Sequence, residues 1–250
     1  MSYQIEPETI NAVYPISRIT RYQSGYLVER DCKLQSRPTE GRGTHKIKKL
    51  SKRSLSRLAF TAKNTSVQFA SLLTLTYPSV FPTSGKEVKA HLNKFLVYSK
   101  RAWGKYEYLW FLEFQKRGAP HIHMAVTLPE PDDDTRKRFS EIWSHICTVS
   151  KRQRKKVYKN HMRKEMWERI KSPHGISGYV LKYALKPEQK IVPKQFQDVG
   201  AFWRTSKAVR PKPMAEPEDI TEGELREILG RMGHRCAHWD VIPKYILIGQ

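Results

Sequence analysis

His121 and His123 stand on either side of a single isoleucine. In an extended strand, residues two apart point to the same face, so the two imidazoles project side by side at a separation that one metal ion can bridge. Alone, such a pair is ordinary sheet packing. The surroundings sharpen the reading. Two apolar runs, Tyr108 to Gln115 and His121 to Leu128, are joined by Lys116-Arg117-Gly118 and then Ala119 and Pro120. That is a hairpin, with Gly118 supplying the positive φ of a bulged turn. Pairing Gln115 with Ala119 sets Glu113 opposite His121, about 5 Å away and on the same face. Glu113 lies within Trp110-Phe111-Leu112-Glu113-Phe114, where a carboxylate needs a partner charge. A divalent cation held by His121, His123 and Glu113 supplies it and leaves positions open for water and a phosphate oxygen. The plain alternative is an arginine at a sheet edge. The mixed donor set suits Mg2+ or Mn2+ as well as Zn2+.

A second group is Tyr179-Val180-Leu181-Lys182-Tyr183-Ala184-Leu185-Lys186. On a helix, positions four apart share a face, so Tyr179 and Tyr183 form one stripe and Lys182 and Lys186 the next. A phenol is a poor nucleophile at its free pKa of about 10. A lysine and a metal nearby would favour the phenolate and neutralise charge on a phosphate under attack. Taken alone, the two tyrosines would be core packing.

The elements that must position these groups are legible in outline. Val67 to Tyr77 is β-rich and stops at Pro78, and Lys86 to Trp103 has helical spacing that ends near Gly104. Asp132, Asp133 and Asp134 offer N-caps for a helix over Thr135 to Val149. A second, very basic helix is expected over Lys151 to Lys171, and a third from Gly175 to Lys186, ended by Pro187. Lys46 to Arg57 reads as a short basic amphipathic helix or a solvated tail. Thr221 with Glu224 makes a capping box, and Pro243 to Gln250 can add a terminal strand. The expected fold is α+β, an antiparallel sheet with helices packed on it.

The 250 residues carry a formal charge of +22, from 46 Lys and Arg against 24 Asp and Glu. A polyanion relieves such self-repulsion, and nucleic acid is the first candidate. The densest cluster, Lys151, Arg152, Arg154, Lys155, Lys156 and Lys159, is a candidate DNA-backbone contact. No apolar run approaches the roughly 18 residues of a membrane span. Three scattered cysteines argue against a disulfide framework, and a soluble, cytoplasmic protein is expected.

Thr74-Leu75-Thr76-Tyr77-Pro78, then Glu113 with Gly118-Ala119-Pro120-His121-Ile122-His123, then Tyr179 to Lys186, occur in that order. Together they resemble the three motifs of rolling-circle replication initiators of the HUH endonuclease superfamily. Asp198-Val199-Gly200-Ala201-Phe202-Trp203 is similar to a segment that follows the tyrosine motif in plasmid and bacteriophage initiators, although Ala201 departs from the larger or basic residue expected there. The paired tyrosines resemble the two-tyrosine branch.

The resemblance implies a basic N-terminal arm over 1–65, an HUH catalytic domain over 66–206 and a tail with a short helix over 207–250. It implies nicking of single-stranded or hairpin origin DNA in a prokaryotic host. Tyr183 is expected to cut first and Tyr179 second, with Lys186 and Lys182 assisting. No G-x-x-x-x-G-K-[ST] segment is present, so a host helicase is expected to act alongside a host polymerase. An HUH transposase or relaxase is the nearest alternative. A noncatalytic nucleic-acid-binding regulator and a zinc hydrolase belong to other classes. Neutralising Lys155, Lys156 and Lys159 together should weaken single-stranded DNA binding whatever the sequence. It should also reduce the logarithmic salt slope by about 2. An unchanged slope in a salt titration would assign this segment to solvent.

Overall fold

A computed structural model describes residues 16–30, 46–171, 175–184, 191–233 and 244–247. In chain order the elements are strands β1 (Ile16–Tyr22) and β2 (Gly25–Arg30), helix α1 (Lys52–Asn64), β3 (Ser71–Thr76), α2 (Gly85–Trp103), β4 (Tyr108–Phe114), β5 (Pro120–Val126), α3 (Asp133–Cys147), α4 (Lys151–His161), β6 (Trp167–Arg169), α5 (Gly175–Ala184), β7 (Trp203–Thr205), β8 (Glu218–Thr221), α6 (Glu222–Arg231) and β9 (Tyr245–Leu247). They form two units, one of residues 40–212 and one of residues 1–39 with 213–250.

The larger unit is built on a five-stranded sheet of order β6-β3-β5-β4-β7, with every pair antiparallel. One face carries Leu73, Leu75, Trp110, Leu112, Ile122 and Met124, all buried. Helices α2 and α3 cover it through edge-to-face contacts of Phe95 with Phe139 and Trp143, and of Phe139 with Trp167. The opposite face carries Phe111, paired across the ladder with Trp203. Helix α1 reaches this face through Trp203, whose Nε1 donates to Ser54 Oγ at 3.0 Å beneath the Arg57 guanidinium. Helix α5 packs on α1.

Caps explain where the helices begin. Ser84, Asp132 and Ser150 each accept a backbone N–H from the third residue on, at the starts of α2, α3 and α4. Gly104, at φ 77°, closes α2 where the sequence places its end. The basic helix stops at His161, ten residues short of Lys171, and Trp167 then enters the sheet as part of β6. Tertiary burial of Trp167, 1% exposed, overrides the helical propensity of the intervening lysines.

The smaller unit is a four-stranded antiparallel sheet of order β8-β1-β2-β9. Its α6 lays Leu225 and Leu229 on Ile19, Tyr26, Val28 and Ile246, and Thr221 and Glu224 form the capping box. The arm of 1–65 and the tail of 207–250 expected from the sequence therefore pair with each other as strands, Ser17 lying opposite Ile220. Pairing between segments so far apart in the chain leaves no local signal.

The turn into α2 is tied to the segment after the tyrosine helix. Gly85 N donates to Asp198 Oδ1 at 2.7 Å, and Lys89 Nζ donates to the carbonyl of Ala201 at 2.6 Å. A Cβ at Gly85 would overlap the backbone of Val199. Gly85→Ala should therefore lower stability by about 1–3 kcal/mol through this overlap. Urea denaturation measures it, and a neutral result would show that the segment yields freely.

Candidate functional site

Strand β5 is the middle strand of its sheet, so its residues meet partners on both sides. His121 lies opposite Thr76 on β3 and Glu113 on β4, and His123 opposite Thr74 and Phe111. The Glu113–His121 register is the one expected from the hairpin. Its turn closes by Gln115 N donating to Ala119 O at 2.9 Å, with Gly118 at φ 77°. Cross-strand partners share a face, so both histidines, both threonines, Phe111 and Glu113 project together.

The two imidazoles stand edge to face, with ring centroids 4.5 Å apart. His123 is 5% exposed and stacks on Phe111, and its Nε2 lies 3.5 Å from Glu113 Oε2. Each Nδ1 meets a threonine hydroxyl of β3, His121 with Thr76 at 3.2 Å and His123 with Thr74 at 3.3 Å. The amide of Gln115 lies 3.4 Å from His121 Nδ1. In the tautomer that donates Nδ1–H to the hydroxyls, each ring keeps its Nε2 lone pair for a cation.

The donor set, two imidazoles and one carboxylate, fits a divalent metal in type. The spacing of His123 Nε2 and Glu113 Oε2 also fits, since two ligands of one tetrahedral ion stand about 3.4 Å apart. No trio of His, Cys, Asp or Glu among the described residues is closed into a coordination shell. The three side chains share a face without yet converging.

Three residues that the sequence reading gave no role support this face. His161 is wholly buried at the end of α4; its Nε2 accepts Thr76 N–H at 3.2 Å, and its Nδ1 faces Val157 O at 2.8 Å. Arg117 donates to the carbonyls of Pro78 and Tyr77 at 2.6 and 2.7 Å and to Gln115 Oε1 at 2.9 Å. That fork ties the hairpin turn to the exit of β3. Trp143 Nε1 donates to Thr76 O at 2.9 Å. The two threonines had a visible signal in their own spacing of two, but not a visible partner.

Tyr179 and Tyr183 lie four residues apart on α5, with Lys182 between them. Tyr179 is half-buried against the core of the larger unit. The side chains of Lys182 and Tyr183, and the whole of Lys186, lie outside the described residues. Of the basic cluster, Lys151, Arg152, Lys155, Lys156 and Lys159 are exposed on α4, and Arg154 is half-buried. Among the described residues no helix is long and apolar enough to cross a membrane.

Residues 70–188 match the family of replication-associated proteins of the ORF2 type. The stretch is 119 of the 250 residues and includes Glu113, His121, His123, Tyr179 and Tyr183. No curated protein matches the chain. A solved structure of the N-terminal nuclease domain of the minute virus of mice non-structural protein-1 is similar at 14% identity, over 63% of this chain, with a TM-score of 0.22. The match spans 66% of that domain, just under two thirds. That domain is described as having a unique Zn2+ coordination in its active-site pocket and a novel mode of DNA recognition at the origin of replication.

Burial pushes the His161 imidazole down to about 4, and nearby His121 acts the same way against the opposing Val157 carbonyl. A group depressed on folding contributes stability that is present above the unfolded value of about 6.5 and lost as pH falls toward the folded one. The loss is on the order of 3 kcal/mol. His161→Gln can keep an acceptor for Thr76 N–H while removing this titration. Urea denaturation at near-neutral and mildly acid pH should show a flatter pH response in the variant. An equal response in both proteins would remove His161 from the acid sensitivity.

Proposed function

We propose that this chain is a replication initiator that nicks one DNA strand at an origin by tyrosine transesterification. The observation that carries the reading is the single face bearing His121, His123, Glu113, Thr74 and Thr76, inside the stretch that matches the replication-associated family. In this reading His121, His123 and Glu113 hold a divalent metal, Mg2+ or Mn2+. When bound, it supplies Lewis-acid polarisation of the scissile phosphate.

The remaining work belongs to the chain. The threonine hydroxyls hold the imidazole rings in one tautomer and orientation. Tyr183 gives up its phenolic proton, and Oη attacks phosphorus in line. The Oη–P bond forms as the P–O3′ bond breaks. The departing 3′ oxygen takes up a proton and becomes a primer terminus, and the 5′-phosphate stays on the tyrosine. One phosphodiester replaces another, so the step is nearly isoenergetic and reversible and needs no nucleotide hydrolysis. Lys182 and Lys186 neutralise charge on the attacked phosphate. Tyr179 serves the second cleavage, when the copied strand returns. The basic side chains of α4 track the DNA backbone, and host helicase and polymerase extend the primer.

The test incubates the full chain and Mn2+ with labelled single-stranded DNA taken from the sequence flanking its gene, then resolves the products on a denaturing gel. A protein-linked fragment is expected, with the nucleotide on Tyr183 by mass spectrometry. Tyr183→Phe should lose most cleavage, about 100-fold or more. Tyr179→Phe should cut once and fail to resolve a second junction. His121→Ala/His123→Ala should abolish the adduct with the fold retained, whereas Glu113→Ala should weaken metal use. Full activity in the double histidine variant, or a nucleotide on any residue other than the two tyrosines, overturns the assignment. Binding without an adduct would point to a regulator, and unlinked product to a hydrolase.

A further inference from the structure

We propose that the cleft between the exit of β3 and α4 seats one nucleotide of single-stranded DNA beside the phosphate under attack. The inference rests on the function proposed above and adds a substrate position to it. The cleft has a volume of about 550 Å³ and is lined by Tyr77, Pro78, Arg152, Gln153, Lys156 and Asn160, among others. That volume lies within the range of about 300–1,000 Å³ usual for sites that hold a small organic group.

The geometry of α4 sorts its charges. Val157 and His161 are buried, which fixes the inward face of the helix. At 3.6 residues per turn, Arg152, Lys156 and Asn160 fall on one stripe along one flank. All three line the cleft, while Lys151, Lys155 and Lys159 form a separate stripe and do not. The sequence reading treated these cations as one patch. The fold divides them into two that enter a concave site and others on a different face.

The chemistry of the lining matches a nucleotide. Arg152 and Lys156 stand one turn apart, and among the described residues no carboxylate lines the cleft, so an anion is favoured there. Arg117 is already committed to the carbonyls of Tyr77 and Pro78, which fixes the floor. Pro78 and Val157 offer an apolar wall to the face of a base, and Gln153 and Asn160 carry the paired donors and acceptors that read base edges. Thr76 joins the cleft to the histidine face. It lines the cleft, and its hydroxyl contacts His121. A strand whose scissile phosphate lay at the histidines would therefore have its neighbouring nucleotide within reach of this seat. A basic groove combined with sites for individual bases is how single strands are held.

The test uses the full chain and a fluorescent dT oligonucleotide of about a dozen nucleotides, in EDTA so that no cleavage occurs. Arg152→Glu/Lys156→Glu should weaken binding by about 10-fold or more. Lys94→Glu/Arg101→Glu, the same change of charge on α2 away from the cleft, should weaken it by less than about 3-fold. With 5-iodo-deoxyuridine in the oligonucleotide, photo-crosslinks should fall on Tyr77 or on peptides of α4. Equal losses in the two double variants, or crosslinks confined to other segments, overturn the seat. If the adduct with Mn2+ still forms in that case, only the seat fails and the nicking function stands. A chain that neither binds the oligonucleotide nor forms an adduct would lose both readings.

Discussion

Strand β5 hydrogen-bonds to β3 on one side and β4 on the other, and side chains alternate between faces with a period of two. That double register draws residues from Thr74 to His123 onto one surface. A slip of one residue in either ladder would turn a partner strand's polar groups into the aromatic layer beneath α2 and α3 and set its apolar ones at the site. The apolar face prevents the slip, because Leu73, Leu75, Leu112, Ile122 and Met124 have no other place to be buried. The polar face is thus held in position by the core behind it.

The legible parts of the molecule were the local ones. The β4–β5 turn, the end of α2 at Gly104, the N-cap among the aspartates before α3 and the Thr221–Glu224 capping box all follow from neighbours in sequence. The opposition of Glu113 and His121 needed only the length of one turn. Which strand lies on the other side of β5 did not follow, because β3 is separated from it by α2 and β4. Thr74 and Thr76 were therefore noted as part of a motif without any function. His161 was read as one more position in a basic helix, whereas burial and two hydrogen-bond partners make it the link between that helix and β3. The pairing of β1 with β8 was hidden for the same reason at greater range.

With nearly twice as many cations as anions, carboxylate partners are scarce, and the covered cations turn to the backbone. Arg136 donates to the carbonyls of Arg163 and Trp167, Arg117 to those of Pro78 and Tyr77, and Lys89 to that of Ala201 while lying over the Trp110 ring. Carbonyl dipoles solvate a cation without cancelling its charge. The positive field of the chain therefore survives folding and stays available to a polyanion.

An interior strand also differs from an edge strand in time. Amides of β5 are locked between two neighbours, whereas β6 and β7 border solvent on one side and are three residues long. Exchange of such amides with solvent deuterium follows the free energy of opening, which is least at frayed edges and greatest at the centre of a sheet. The two histidines thus sit on the rung that opens last. The surrounding chain can loosen at its borders, admit a strand and release it, while the spacing of the imidazoles is kept by the most persistent ladder in the sheet.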